Sequence, residues 1–140
     1  MGASGHLKAA SETRHIPVLR EEVLAGLAVR PGGRYLDATV GGAGHARAIL
    51  DASAPTGRLL GLDRDPEAAE RARARLDTYG PRAQVYHASY INLDKAAATA
   101  DMLPLDGVLF DLGFSSWHVG VAERGFSFQL DGPLDMRFDP

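Results

Sequence analysis

Arg34-Tyr-Leu-Asp-Ala-Thr-Val-Gly-Gly-Ala-Gly-His-Ala-Arg-Ala-Ile-Leu50 is the stretch on which the fold turns. A short apolar run, Tyr35-Leu36, passes through Asp37 and Thr39 into glycines at 41, 42 and 44, and a helical pattern follows from Ala46 to Leu50. Strand, glycine turn and helix in that order make a nucleotide-binding corner. Glycine lets backbone approach a ligand, and a helix N-terminus presents free N–H groups. About 20 residues further on, where the dinucleotide fingerprint has its acid, Arg58-Leu-Leu-Gly-Leu-Asp63 is a second apolar run ending in a carboxylate. Such an acid can accept hydrogen bonds from both ribose hydroxyls. The glycines and the acid together predict an adenosine-containing cofactor.

The chain has 140 residues, 45% hydrophobic and 24% charged, which suits one domain. Cysteine is absent, so neither a disulfide framework nor a thiolate metal site is expected. His118 with Glu123 gives too few ligands for a metal. No run reaches membrane-spanning length, and Met1 to Ser11 lacks a signal peptide's apolar core. The expectation is a cytoplasmic protein with no membrane partner. The net charge of −3 carries no strongly basic nucleic-acid footprint, and no DNA partner is expected. Arginine supplies 13 of the 15 basic residues, which leaves room for a local patch.

In chain order, residues 1–14 read as a disordered leader. Pro17 opens a helix whose apolar face is Val18, Leu19, Val23, Leu24 and Leu27. Strand one spans 34–40, its helix runs to Ala52, and strand two spans 58–63. Asp65-Pro66-Glu67 is a helix start with an N-cap acid and proline at the first position, and that helix runs to Tyr79. Its arginines at 71, 73 and 75 read as a solvated face. Strand three covers 83–89, Asn92 caps an alanine-rich helix to Met102, and strand four covers 106–113. A short helix within 115–123 and a loop tail from 125 follow. The β-α alternation predicts an α/β fold: a parallel, Rossmann-like sheet in strand order 3-2-1-4 with flanking helices. Strand four is then an edge that is apolar on both faces, a feature proteins normally cover. The sheet is therefore expected to be incomplete, the front part of a longer protein, with its bare edge a route to self-association.

Five motifs stand in order: His15-Ile-Pro-Val-Leu19, Asp37-Ala-Thr-Val-Gly-Gly-Ala-Gly-His45, Gly61-Leu-Asp-Arg-Asp-Pro66, Asp106-Gly-Val-Leu-Phe-Asp-Leu-Gly-Phe-Ser-Ser116, and Glu123-Arg-Gly-Phe-Ser-Phe128 with Asp131-Gly-Pro-Leu-Asp-Met-Arg137. Together they closely resemble the bacterial 16S ribosomal RNA cytosine-N4 methyltransferase family, over residues 15–140. The resemblance implies a class I methyltransferase sheet, S-adenosylmethionine as cofactor, 16S rRNA of the small ribosomal subunit as partner, and methylation of a cytosine's exocyclic amine. It makes residues 15–140 the N-terminal part of the cofactor-binding domain, ahead of an inserted helical domain and further strands. It places cofactor contacts on Ala43, Gly44, His45, Asp63, Tyr90, Asp111 and His118. Three positions depart from the family pattern: glycine is usual where Ala43 stands, proline where Trp117 stands, and glutamine where His118 stands. Alanine at 43 is expected to be tolerated only at negative φ.

Methyl transfer to an amine is an in-line displacement whose barrier falls chiefly through positioning. The lone pair of a cytosine amine is delocalised into the ring, so an acceptor holding one N–H helps to localise it. Asp111, Ser115 and Ser116 lie beyond a strand's carboxyl end, where α/β sheets place ligands, and each can be that acceptor. Arg124 and Arg137 can bind RNA phosphate, but internal pairing with Glu123, Asp131 or Asp135 is the simpler expectation. Two other functions compete: a cofactor-binding module that does not catalyse, and a methyltransferase of another amine.

Overall fold

A computed structural model describes residues 17–139, so the expected disordered leader and the His15-Ile16 start of the first motif lie outside the described residues. Four strands, β1 (Arg34–Asp37), β2 (Arg58–Asp63), β3 (Ala83–His87) and β4 (Gly107–Leu109), form one parallel sheet in the order β3-β2-β1-β4. This is the order that the alternation predicts, with the switch point between β1 and β4. The helices are α1 (Arg20–Gly26), α2 (Gly44–Ala52), α3 (Pro66–Leu76), α4 (Leu93–Thr99) and α5 (Ser116–Gly120).

Alternating strand side chains feed two cores. Tyr35, Leu59 and Val85 pack with Ile49 and Leu50 of α2, Ala69, Ala72 and Leu76 of α3, and Leu24 of α1. Leu36, Leu60 and Leu62 face Ala96 and Ala97 of α4, with Met102 beyond. The central strands are apolar on both faces because helices cover both. Asp106 pins the entry to β4, accepting the Arg34 backbone N–H at 2.8 Å and pairing with Arg30 at 2.6 Å.

Several elements are shorter than the sequence suggests, each for a local reason. β1 stops at Asp37 because that carboxylate accepts the Thr39 N–H at 3.1 Å and turns the chain. β4 then loses its partner at Leu109, and among the described residues no strand lies on its other side. Phe110, Leu112 and Phe114 emerge exposed. After β3, Ser89 accepts the Ile91 N–H at 3.4 Å and starts a 3₁₀ turn, so Asn92 provides no side-chain cap to α4. Leu19 adopts φ 60°, which keeps residues 18 and 19 out of α1 and leaves Val18 and Leu19 exposed. The Asp65 cap holds as expected: its carboxylate accepts the Glu67 N–H at 2.9 Å, with Pro66 at the first helical position.

The α3 arginines are exposed at 73 and 75 and partly exposed at 71, as a solvated face requires, and each also makes a specific contact. Arg71 stacks 4.0 Å from the Trp117 ring centroid, Arg73 donates to the Val85 carbonyl at 2.9 Å, and Arg75 donates to the Gly42 carbonyl at 2.8 Å. Their long side chains reach back over the sheet's rim and clamp neighbouring backbone.

Ala43 is fully buried at φ 63°, as the N-cap residue of α2. Alanine is thus tolerated at positive φ, against the expectation. The left-handed conformation costs a Cβ-bearing residue about 1 kcal/mol, and burying the methyl returns about 0.8 kcal/mol. Ala43→Gly is therefore expected to change stability by less than about 1 kcal/mol. Ala43→Val, which forces a branched side chain into the same conformation in a filled core, should cost more than about 2 kcal/mol. Urea unfolding of both variants measures the difference.

Candidate cofactor-binding site

Three carboxylates converge on the carboxyl end of the sheet: Asp37 ends β1, Asp63 ends β2 and Asp111 follows β4. Asp37 is buried, and loss of hydration pushes its carboxyl up to about 7 from 3.8. The Thr39 N–H opposes that shift, while the charges of Asp111 and Asp63 add to it. Thr39 also braces the third acid, its hydroxyl oxygen accepting the Asp111 N–H at 2.8 Å.

Asp63 divides its oxygens between two elements. One accepts the Gly41 N–H at 2.9 Å, and the other accepts the Asp65 N–H at 2.9 Å. Gly41, at φ 46°, is where the turn needs a residue without a Cβ. A carboxylate can accept about four hydrogen bonds, so two acceptor positions remain on Asp63, matching the two hydroxyls of a ribose.

Ala43, Gly44 and His45 lie together at the start of α2, which has no side-chain cap. The first N–H groups of such a helix lack intrahelical partners and suit an anionic group. Gly44 also lies against Pro17: a Cβ at 44 would sit 2.7 Å from the Pro17 Cγ. The His45 ring is largely buried, its Nε2 lies 3.8 Å from Asp111, and its Nδ1 has no hydrogen-bond partner among the described residues. A buried ring nitrogen without a partner is an open hydrogen-bonding position. Tyr90 follows β3 half-exposed, its ring edge-on to Phe110 at 5.7 Å between centroids. The Asp111 side chain is 67% exposed. Ser115 and Ser116 are exposed at the start of α5.

His118 sits apart from the strand-end acids, in a buried cluster. Its Nε2 lies 3.1 Å from the Asp65 carboxylate, and its Nδ1 lies 2.9 Å from the Ser115 hydroxyl. Arg124, also buried, reaches Asp65 at 3.2 Å and Glu67 at 3.3 Å, and donates to the Phe138 carbonyl at 2.7 Å. The expected partners Glu123, Asp131 and Asp135 are not its partners; the only one of them used among the described pairs is Asp135, which holds Arg137 at 2.6 Å. Trp117 is flanked by the guanidiniums of Arg71, at 4.0 Å, and Arg124, at 4.8 Å. In the sequence Asp65 reads only as a helix cap, and Asp37 only as part of the run into the glycine turn. A second acid two residues beyond Asp63, ahead of a helix, was the available signal for the hub.

Among the described residues no cluster of three or more histidines or acids could hold a metal ion. Two shallow depressions lie elsewhere, one lined by Pro55, Arg58 and Arg82 and the other by Arg73, Asp77 and Tyr86. They contain none of the strand-end acids. The strand-end acids lie instead beside the start of α2, at the carboxyl end of the sheet.

The Asp37 carboxyl fixes a pH dependence. Its folded value of about 7 exceeds the 3.8 of an ordinary aspartate, so the folded state binds the extra proton. This contribution to stability is complete below about pH 4 and is lost as pH rises through about 7, up to about 4 kcal/mol in all. Asp37→Asn keeps an oxygen for the Thr39 N–H. It should therefore remove this slope and exceed the parent in stability at pH 8, measured by urea unfolding between pH 5 and 8.

The MraW methylase family model matches residues 12–140. Ribosomal RNA small subunit methyltransferase H of Thermomicrobium roseum is 54% identical over 128 residues, which are 91% of this chain and 39% of the relative. The protein of the same description from Nitratidesulfovibrio vulgaris strain DP4 is 53% identical over 126 residues, 90% of this chain and 39% of the relative. The chain thus spans 39% of the length of these relatives. Among solved structures, a SAM-dependent methyltransferase from Aquifex aeolicus aligns with 50% of this chain and 38% of its own, at TM-score 0.45 and 18% identity. By the family match, which spans most of its length, the chain belongs to the MraW methylase family.

Proposed function

We propose that this chain binds S-adenosylmethionine and serves a cytoplasmic methyltransferase that modifies the N4 amine of a cytosine in 16S rRNA of the small ribosomal subunit. The observation that carries this reading is the convergence of Asp37, Asp63 and Asp111 beside the uncapped start of α2. It is supported by the family, and by relatives described as methyltransferases of small-subunit ribosomal RNA.

The cofactor, when bound, supplies a methyl group made electrophilic by a positively charged sulfur. Asp63 offers its two remaining acceptor positions to the ribose. The free N–H groups at Gly44 and His45 suit the cofactor's carboxylate. Exposed Asp111 provides negative potential for its cationic groups, and buried Asp37 adds to it when it gives up its proton. Tyr90 offers a ring face to the adenine. The acceptor base has to leave its stack for its amine to reach the site. Asp111, whose carboxylate is exposed and whose backbone is fixed by Thr39, is one of three candidate acceptors of an N–H from that amine. Ser115 and Ser116 stand on the same loop.

Calorimetric titration of the chain with S-adenosylmethionine tests the cofactor half of this reading. The parent should bind, and Asp63→Ala should weaken binding at least about tenfold through two lost hydrogen bonds to a charged acceptor. Equal binding by both would overturn the ribose assignment. For the reaction, the chain joined to the carboxyl-terminal remainder of the Thermomicrobium roseum relative is incubated with small subunits and methyl-labelled cofactor. Labelled N4-methylcytidine is the expected nucleoside after digestion, and label in any other nucleoside would refute the assigned amine.

A further inference from the structure

The donors and acceptors around His118 admit one arrangement of hydrogens. Asp65 is ion-paired to Arg124 and already accepts the Glu67 N–H, so it acts as an acceptor toward His118 Nε2, 3.1 Å away. Nε2 therefore carries a hydrogen. On the other side of the ring, the Ser115 backbone N–H can only donate, and it meets Nδ1 at 3.1 Å. Nδ1 is therefore a bare acceptor and the ring is neutral. The Ser115 hydroxyl, 2.9 Å from the same nitrogen, must then give its hydrogen to Nδ1. With that hydrogen committed, and one lone pair turned to the His118 backbone N–H in a capping box, the exposed side of the oxygen presents its other lone pair.

We infer that Ser115 is a catalytic residue that accepts an N–H of the methyl-acceptor amine, and that His118 and Asp65 are positioning residues that keep its hydroxyl turned inward. This rests on the methyltransferase reading above and deepens it. An N–H held by the Ser115 oxygen turns the amine's lone pair toward the methyl group. In the transfer, nitrogen forms the new N–C bond with that lone pair, the C–S bonding pair stays with sulfur, and the surplus amine proton leaves to solvent. Ser115 begins and ends as a neutral hydroxyl.

The family's usual glutamine at 118 obeys the same logic. Its amide oxygen can accept from Ser115 while its NH₂ donates to Asp65. Histidine differs in one respect, because it can gain a proton. Imidazolium would present N–H on both sides, so Nδ1 would donate to the serine oxygen and release the serine hydrogen outward. The charged groups facing the ring are Asp65 at the start of α3 and, through Asp65, Arg124 and Glu67; Arg71 stands beyond Trp117, and the other close neighbours are the rings of Trp117, Phe126 and Phe138.

Two measurements test the inference. Nitrogen-15 NMR of the chain labelled in histidine should show His118 as the neutral tautomer with hydrogen on Nε2; hydrogen on Nδ1 would overturn it. In the joined enzyme at saturating cofactor, Ser115→Ala should lower kcat by about 10²-fold with cofactor Kd unchanged. His118→Gln, which can still accept from Ser115 and donate to Asp65, should keep kcat near that of the parent, whereas His118→Leu, which can do neither, should lower it. Unchanged kcat in Ser115→Ala or in His118→Leu would overturn the inference. Failure of the parent to bind S-adenosylmethionine would instead overturn the reading on which the inference rests.

Discussion

The fully buried carboxylate of Asp65 is the interaction on which the rest of this structure depends. It caps α3 through the Glu67 N–H, pairs with Arg124 and His118, and through its own N–H holds one oxygen of Asp63. A charge taken out of water is costly unless every lone pair is used. Here the partners come from three places in the chain: the start of α3, the α5 helix and the turn at Ala122–Arg124. The tail therefore folds over the sheet's rim because Arg124 must reach that carboxylate, and Phe126 and Phe138 follow it to close over the His118 ring. Gly125, at φ 70°, makes the turn possible, since a Cβ there would meet the Pro133 carbonyl at 2.0 Å.

The second constraint is the opposite case, a buried acid without a counter-charge. Asp37 has a backbone N–H but no cation among its described partners, and the neighbouring acids oppose its ionisation. Such an arrangement lowers stability near neutral pH. It persists where a cationic ligand would relieve it, and preorganised charge of this kind is how a site stabilises a positive centre without reorganising at the moment of reaction. The Asp65 knot and the Asp37 strain are adjacent, joined through Asp63. Rigidity on one side holds the unfavourable geometry in place on the other.

What the sequence made legible is what depends on short spacing. The strand order follows from the alternation of apolar runs, Asp63 from its position at the end of one, and the Asp65 cap from the proline that follows it. What it left illegible depends on distance along the chain or on local backbone. Arg124 and Asp65 are 59 positions apart, and no local pattern pairs them. The arginines of α3 alternate like a solvated face, yet stacking on Trp117 and bonding to the Val85 and Gly42 carbonyls decide their positions. Strand ends were overestimated because apolar residues continue past Leu109, whereas pairing stops where Asp37 turns the neighbouring strand away. Ala43 shows the reverse error. Its conformation was judged from alanine's intrinsic preference alone, but a fully packed methyl offsets most of that cost.

Two of the three departures from the pattern that the resemblance implies, Trp117 and His118, fall together in space. Trp117 and His118 adjoin each other on α5, and the residues that receive them, Arg71, Arg124 and Asp65, lie on α3 and the turn after α5. Proline at 117 would offer neither guanidinium an aromatic face, so the tryptophan adds two cation–π contacts that tie α5 to α3. Histidine at 118 has a rigid ring, and its two nitrogens span from Asp65 to Ser115 without the side-chain freedom that a glutamine would lose on ordering. The two substitutions thus act in one direction. Both stiffen the joint that sets the loop from Asp111 to Ser116 against the end of β2, where the candidate cofactor and acceptor positions meet.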